Sequence, residues 1–267
     1  MPLGQQRILL LLLIVGCVLQ IVMLLGTSIP LGVPGEWAWS RLPQDAVNYF
    51  NLVFTVLIIL LYYLFLRWGA KKIQRCSSLH KTALLVMLSL ASMTVLWNLK
   101  AVPGNIFGHS GMTWVTYYPR MSGYFTQAVS GEQTTQEFLA NYEQAAAEGD
   151  YLHQGTHPPG LILYFRFLHN LCGSSPALTQ LLLASETEDV RAGLDVLEEL
   201  NADRDQAFTQ DQRATLWLSI LITFLVCAAT VVPVFFILVR FTSANIAFAL
   251  SGLWPLVPAL ALFAPKS

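Results

Sequence analysis

The stretch LVFTVLIILLYYLFLRW (Leu52–Trp68) decides how this chain folds. Its single charge, Arg67, stands at its C-terminal end. The run has no polar face, so a surface helix of a soluble domain is excluded. A bilayer core of about 30 Å takes roughly 20 apolar residues as helix, and this run with its flanks fits one. Lys71, Lys72, Arg75 and Lys81 follow, and then a second apolar run, ALLVMLSLASMTVLW (Ala83–Trp97). Two such runs joined by a short basic segment predict a transmembrane hairpin.

Working outward, Ile8–Gly26 is apolar and uncharged. It exceeds the roughly 7–15 residues of a signal-peptide core and ends in Leu-Leu-Gly-Thr-Ser-Ile-Pro. It is expected to be an uncleaved first span. Beyond the polar stretch Asn98–Pro158, two further runs appear, Ala214–Val239 and Ala244–Ala264. The last contains Pro255 and Pro258, which spans tolerate when neighbours satisfy the freed carbonyls.

The composition agrees. Of 267 residues, 55% are hydrophobic and only 12% charged. A soluble domain carries roughly 25% charge, so cytosolic globular, disordered and collagen-like classes are excluded. The net charge of −1 offers no basic field for a nucleic acid. Cys17, Cys76, Cys172 and Cys227 show no metal or redox spacing and read as small apolar residues. The expected fold is all-α, a multi-pass transmembrane protein with a large outer loop. Residues 1–98 hold three spans, 99–213 the outer region, and 214–267 two more spans.

Charge sets the expected orientation. With the N-terminus cytoplasmic, the inner segments carry Arg7, Arg67, Lys71, Lys72, Arg75, Lys81 and Arg240 and no acid. All Asp and Glu then fall outside, and the positive-inside rule is met. The expected location is the plasma (inner) membrane, with lipids as immediate partners. GLILYFRFLHNLC (Gly160–Cys172) is too short to span and holds Arg166 and His169. A mid-bilayer arginine costs at least about 2.5–3.5 kcal/mol. The segment is therefore expected to lie along the membrane surface, with Arg166 snorkelling to the headgroups.

The outer region carries helix signals. Thr134-Thr-Gln-Glu137 fits a capping box, followed by Phe138, Leu139, Tyr142 and Ala146 on one face and a stop at Gly149. Ser185-Glu-Thr-Glu188 repeats the pattern before Val190, Leu194, Leu197 and Leu200. Asp195, Glu198 and Glu199 on the opposite side read as a solvated face. SIPLGVPGEWAW (Ser28–Trp39) reads as an interfacial turn anchored by tryptophans.

The densest polar chemistry is Asp150-Tyr-Leu-His153-Gln-Gly-Thr-His157-Pro-Pro-Gly160. The two prolines stiffen the approach, and Gly160 is expected to let the following helix begin. Three readings stay open for His157. With His153, four residues away, it could bind a metal; it could orient a phosphate or sugar; it could anchor the turn. Gly155 and the prolines weaken the metal reading by breaking the helix that would align the pair, and only Asp150 stands near as a third ligand.

THPPG followed by an apolar, Tyr-containing helix resembles the His-Pro-Pro element of the C-type membrane glycosyltransferase superfamily, in particular protein O-mannosyltransferases. FILVRFTSAN (Phe236–Asn245) is similar to the family's basic inner turn, LWPLVPALALFAPKS (Leu253–Ser267) to its proline-containing return span, and Ser122-Gly-Tyr-Phe125 to an upstream Gly-Tyr-Phe stretch. The resemblance covers roughly Trp114 to the C-terminus. It implies transfer of a sugar from a polyprenyl-phosphate donor on the outer face, with a carboxylate as base and a divalent cation or basic residue on the donor phosphate. It gives Asp150 and Glu143 as candidate bases and His157, His153 and Arg166 as substrate-binding residues. The sequence departs from the pattern at Thr116-Tyr-Tyr118 and at Gln154-Gly-Thr156, where the family keeps acids. Family members are longer, so the chain corresponds to their N-terminal part or to a shortened homologue. A non-catalytic scaffold that binds a membrane partner is the alternative. A transporter ranks last, because no ionisable residue stands near the middle of an expected span.

Overall fold

The computed structural model describes residues 8, 11–12, 14–19, 22, 32–33, 35–38, 47–103, 108–113, 123–129, 133–148, 157–202 and 208–263. In it the fold-deciding stretch becomes the middle of one long helix, α1 (Tyr49–Ile73). Asn48 opens α1, its side-chain oxygen accepting from the Asn51 N–H at 3.0 Å. That satisfies one of the donors a helix start leaves open. Lys71 and Lys72 occupy the last turn, where helix carbonyls favour positive charge. α2 (Ser78–Ala101) returns antiparallel.

Polar contacts align the hairpin down its length. Asn51 Nδ2 donates to the Ala101 carbonyl at 2.8 Å, and Thr55 Oγ1 to that of Asn98 at 2.9 Å. Deeper, Tyr62 Oη pairs with Ser92 Oγ at 3.0 Å and donates to the Gly252 carbonyl at 2.8 Å. Such contacts align apolar helices where burial from water gives no driving force. Gly69 lets the Phe248 ring approach the α1 backbone.

The third long helix is Gln210–Leu238, in two parts, α9 (Gln210–Ala229) and α10 (Val231–Leu238). Pro233 has no N–H for the Ala229 carbonyl, which accounts for the break at Thr230. α1, α2 and Gln210–Leu238 are each long and apolar enough to cross a membrane. Their outward side chains, among them Val53, Leu60, Leu64, Val86, Val226 and Phe236, are exposed. An apolar surface of that extent marks a membrane-embedded protein.

The expected fifth span differs. Ala244–Ala264 is no single helix but α11 (Ala244–Ser251), a 3-10 turn (Trp254–Leu256) and α12 (Pro258–Phe263). Pro255 and Pro258 interrupt the backbone ladder there. The expected first span is helical at every described position from 8 to 22. The residues before Asn48 form a separate unit. In it β1 (Gly32–Val33) pairs antiparallel with β2 (Trp37–Ala38), so the expected turn is a tight hairpin.

The region between the second and third long helices is also helical: α3 (Tyr124–Val129), α4 (Thr135–Ala140), α5 (Tyr142–Glu148), α6 (Gly160–Ser174), α7 (Pro176–Ser185) and α8 (Glu188–Ala202). The described residues form two apolar cores. One joins α1, α2, α10 and α11 around Leu66, Leu88 and Phe248. The other joins the C-terminal part of α2 with α3, α6, α7, α8 and α9 around Phe125, Ile162, Leu194 and Trp217.

The capping box at Thr134 forms as expected: Thr134 Oγ1 accepts from the Glu137 N–H, and Glu137 Oε2 accepts from the Thr134 N–H. The one expected at Ser185 does not start α8. Ser185 ends α7, donating to the Leu182 carbonyl at 2.8 Å and accepting from Trp217 Nε1 at 3.0 Å. Its hydroxyl is thereby committed to the core. Thr209 with Gln212 forms the second complete box instead, opening α9. Val190, Leu194 and Leu197 are buried as their spacing predicts.

Candidate functional site

α6 follows directly from Thr156-His-Pro-Pro, and its first bond runs from the Leu163 N–H to the Pro159 carbonyl at 2.9 Å. Gly160 does not carry the expected burden. Its φ is not positive, and a Cβ added there would meet nothing. Pro159, at φ −68°, sets the start of the helix.

His157 is exposed at the head of α6. The Tyr142 hydroxyl of α5 donates to its carbonyl, and the Tyr124 ring of α3 meets its ring edge-on at 6.3 Å between centroids. α3 and α5 thus hold the His-Pro-Pro turn from two sides.

Arg166 lies six residues into α6, about 9 Å along its axis. It does not reach out to solvent, as snorkelling would require, but is 7% exposed. Its guanidinium stacks 4.4 Å from the centre of the Phe138 ring of α4. Nη1 donates to the Gln133 carbonyl at 3.1 Å. The short α3–α4 segment folds over this face of α6 and replaces the headgroups as its cover. Arg166 has no ion pair among the described residues.

A polar cavity of about 260 Å³ opens beside it, lined by Val129, Gln133, Thr134, Arg166, His169 and Asn170. Arg166 Nε and His169 Nδ1 are buried and have no hydrogen-bond partner among the described residues. The two side chains are one turn apart on α6. Arg166 Nε is an N–H donor on a permanent positive charge, and His169 Nδ1 is a donor when it carries the ring proton. Such a pair is built to receive an oxyanion. His169 was legible only as a residue three positions from Arg166.

The other expected residues do not gather here. His157 does not line the cavity. Glu143 is exposed on α5. Asp150 and His153 lie outside the described residues, as do Thr116–Tyr118 and Gln154–Thr156. Among the described residues no group of three His, Cys, Asp or Glu side chains is arranged to hold a metal ion.

A second charged centre went unread in the sequence. Arg213, in the first turn of α9, donates from Nε to both oxygens of Glu186 at 3.1 and 3.2 Å, and from Nη1 to Asp195 Oδ1 at 2.8 Å. Glu198 Oε1 stands 3.5 Å from the same Nη1. Of the α8 acids expected to form a solvated face, Asp195 and Glu198 therefore also pair with Arg213, while Glu199 is exposed. Burial pushes the Glu198 carboxyl above its ordinary range, against the pull of Arg213.

Comparison with family profiles, curated proteins and solved structures finds no match for the chain.

Proposed function

We propose that the chain is a glycosyltransferase-type membrane protein whose Arg166–His169 cavity receives the phosphate of a polyprenyl-phosphate-linked sugar. One observation carries the reading: a buried guanidinium with no carboxylate partner among the described residues lines a polar cavity on the His-Pro-Pro helix, its Nε open. A buried charge left unpaired is costly, and an anion removes the cost. A phosphate offers both charge and acceptor oxygens to Arg166 and His169. During sugar transfer the phosphate leaves, so its negative charge grows as the glycosidic bond breaks. Donors fixed at that point lower the barrier. Asp150 is the proposed base on the attacking acceptor, with Glu143 the second candidate. The reaction would occur on the outer face of the plasma membrane, with the N-terminus cytoplasmic.

A scaffold that holds the lipid-linked sugar without transferring it is the second reading. It draws on one observation: among the described residues no carboxylate lines the cavity. Two measurements on the full chain in nanodiscs separate the readings. Arg166→Gln is expected to weaken polyprenyl-phosphate binding by about 10–100-fold, the worth of a charged hydrogen-bonded pair. Asp150→Asn is expected to abolish sugar transfer while leaving binding intact. Binding without transfer by the wild type would favour the scaffold. Wild-type affinity in Arg166→Gln would end the site assignment.

A further inference from the structure

The opposite end of the α1–α2 hairpin carries a second cavity, of about 520 Å³, lined by Lys71, Lys72, Arg75, Cys76, Ser77 and His80. Ser77 Oγ and His80 Nδ1 lie 2.7 Å apart across its α2 side. α11 closes one flank, where Gln74 Nε2 donates to Asn245 Oδ1 at 2.7 Å. No carboxylate pairs with Lys71, Lys72 or Arg75 among the described residues. None is near in sequence either: no Asp or Glu occurs from 46 to 131, nor after Asp211. Three cations therefore face one cavity with no counter-charge among the described residues.

Its surroundings identify the ligand. Trp68, one turn before Lys72, is exposed, and tryptophan favours the membrane interface. Leu64 on α1 and Leu79, Val86 and Met87 on α2 are exposed along the flanks leading to it. An acyl chain lying on these flanks would deliver its headgroup phosphate to the three cations. A free phosphate would gain nothing from the flanks. We infer that this cavity binds the headgroup of an anionic glycerophospholipid, its acyl chains lying along α1 and α2. The site is independent of Arg166 and of the proposed glycosyl chemistry.

The test uses the full chain released from nanodiscs of mixed phosphatidylcholine and phosphatidylglycerol, with native mass spectrometry counting the retained lipid. The wild type is expected to retain phosphatidylglycerol in preference. K71Q/K72Q/R75Q is expected to bind it about a hundredfold more weakly, at about 1 kcal/mol per basic residue. Arg75→Gln alone is expected to lose about fivefold, and decides the matter if the triple variant unfolds. Arg166→Gln is expected to retain phosphatidylglycerol fully. Millimolar inorganic phosphate, added as a competitor, is expected to displace none. Equal retention of the two lipids by the wild type would overturn the proposal. So would undiminished retention by the folded triple variant, or displacement by phosphate alone, which would make it a free-anion site.

Discussion

Arg213 and Arg166 are both withdrawn from solvent, yet their surroundings differ. Arg213 meets three carboxylates, and the side chain of one of them, Glu186, is only 2% exposed. Arg166 meets an aromatic face, a backbone carbonyl and a polar cavity. At the first centre charge is compensated within the fold, and the side chains serve to fasten α7, α8 and α9 together. At the second, no described side chain supplies the compensating charge. A buried cation that its own protein does not neutralise is the stronger sign of a binding site.

The largest expected effect breaks the compensated centre. Arg213→Met removes the close partner of the buried Glu186 carboxylate and leaves it only the longer contact with Arg191 Nε, at 3.9 Å. Loss of one partner of such a pair costs about 3–5 kcal/mol. Denaturant unfolding in mild detergent should show it, and adding Glu186→Gln should recover much of the loss. If Arg213→Met were neutral, Glu186 would be solvated and the contrast between the centres would fall.

Arg166→Gln should cost less stability, about 1–2 kcal/mol, from the lost stacking on Phe138 and the lost bond to the Gln133 carbonyl. No described carboxylate is stranded, because none pairs with Arg166. The variant's defect should lie in anion binding instead. A stability loss as large as that of Arg213→Met would reveal an internal partner and weaken the binding reading.

Acid separates the centres by sign. The Thr134 N–H and hydroxyl hold the Glu137 carboxyl below its ordinary range in the first turn of α4, the helix whose Phe138 covers Arg166. A depressed folded pKa gives stability that is present above the unfolded value of about 4.3 and is lost as pH falls through the folded one. The penalty of Glu137→Gln should therefore be full at neutral pH and shrink in acid. Glu198 is raised, chiefly by burial. Its folded form holds protons longer, so its contribution falls as pH rises above the ordinary range. Glu198→Gln should raise melting temperature most at neutral pH, and the gain should fade in acid. The same direction for both variants would contradict the two environments.

The membrane part of this fold was legible because lipid solvation writes itself into composition. Leu52–Trp68 and Ala83–Trp97 have one reading each. The Thr134 capping box was legible because its partners are three residues apart. The buried centres were not. Phe138 lies 28 positions before Arg166, and Glu186 lies 27 before Arg213, so no local spacing announces either contact. Ser185-x-x-Glu188 matched a helix start, yet Trp217, 32 positions away, claimed the hydroxyl. α7 went unread because a largely apolar helix of ten residues is too short for a span and shows no clear amphipathic pattern. The short apolar run with an arginine was read through the cost of a charge in lipid, which says where Arg166 cannot be and not what covers it.

The smallest expected effect concerns the turn that leads to the uncompensated centre. Gly160 follows the two prolines, and its conservative replacement tests whether the turn needs glycine at all. A Cβ there meets no atom within 4 Å, and the backbone is not in the left-handed region. Gly160→Ala should therefore stabilise the start of α6 by up to about 1 kcal/mol, through the better helix propensity of alanine and a less free unfolded chain. Polyprenyl-phosphate binding should not change. Gly193 of α8, beside the compensated centre, gives the counter-case: a Cβ there would press on the Ser110 carbonyl and the Thr113 hydroxyl. Gly193→Ala should destabilise where Gly160→Ala does not. A loss of phosphate binding in Gly160→Ala with unchanged melting would mean that a ligand approaches the backbone at the head of α6, and would move the site from the Arg166 cavity toward His157.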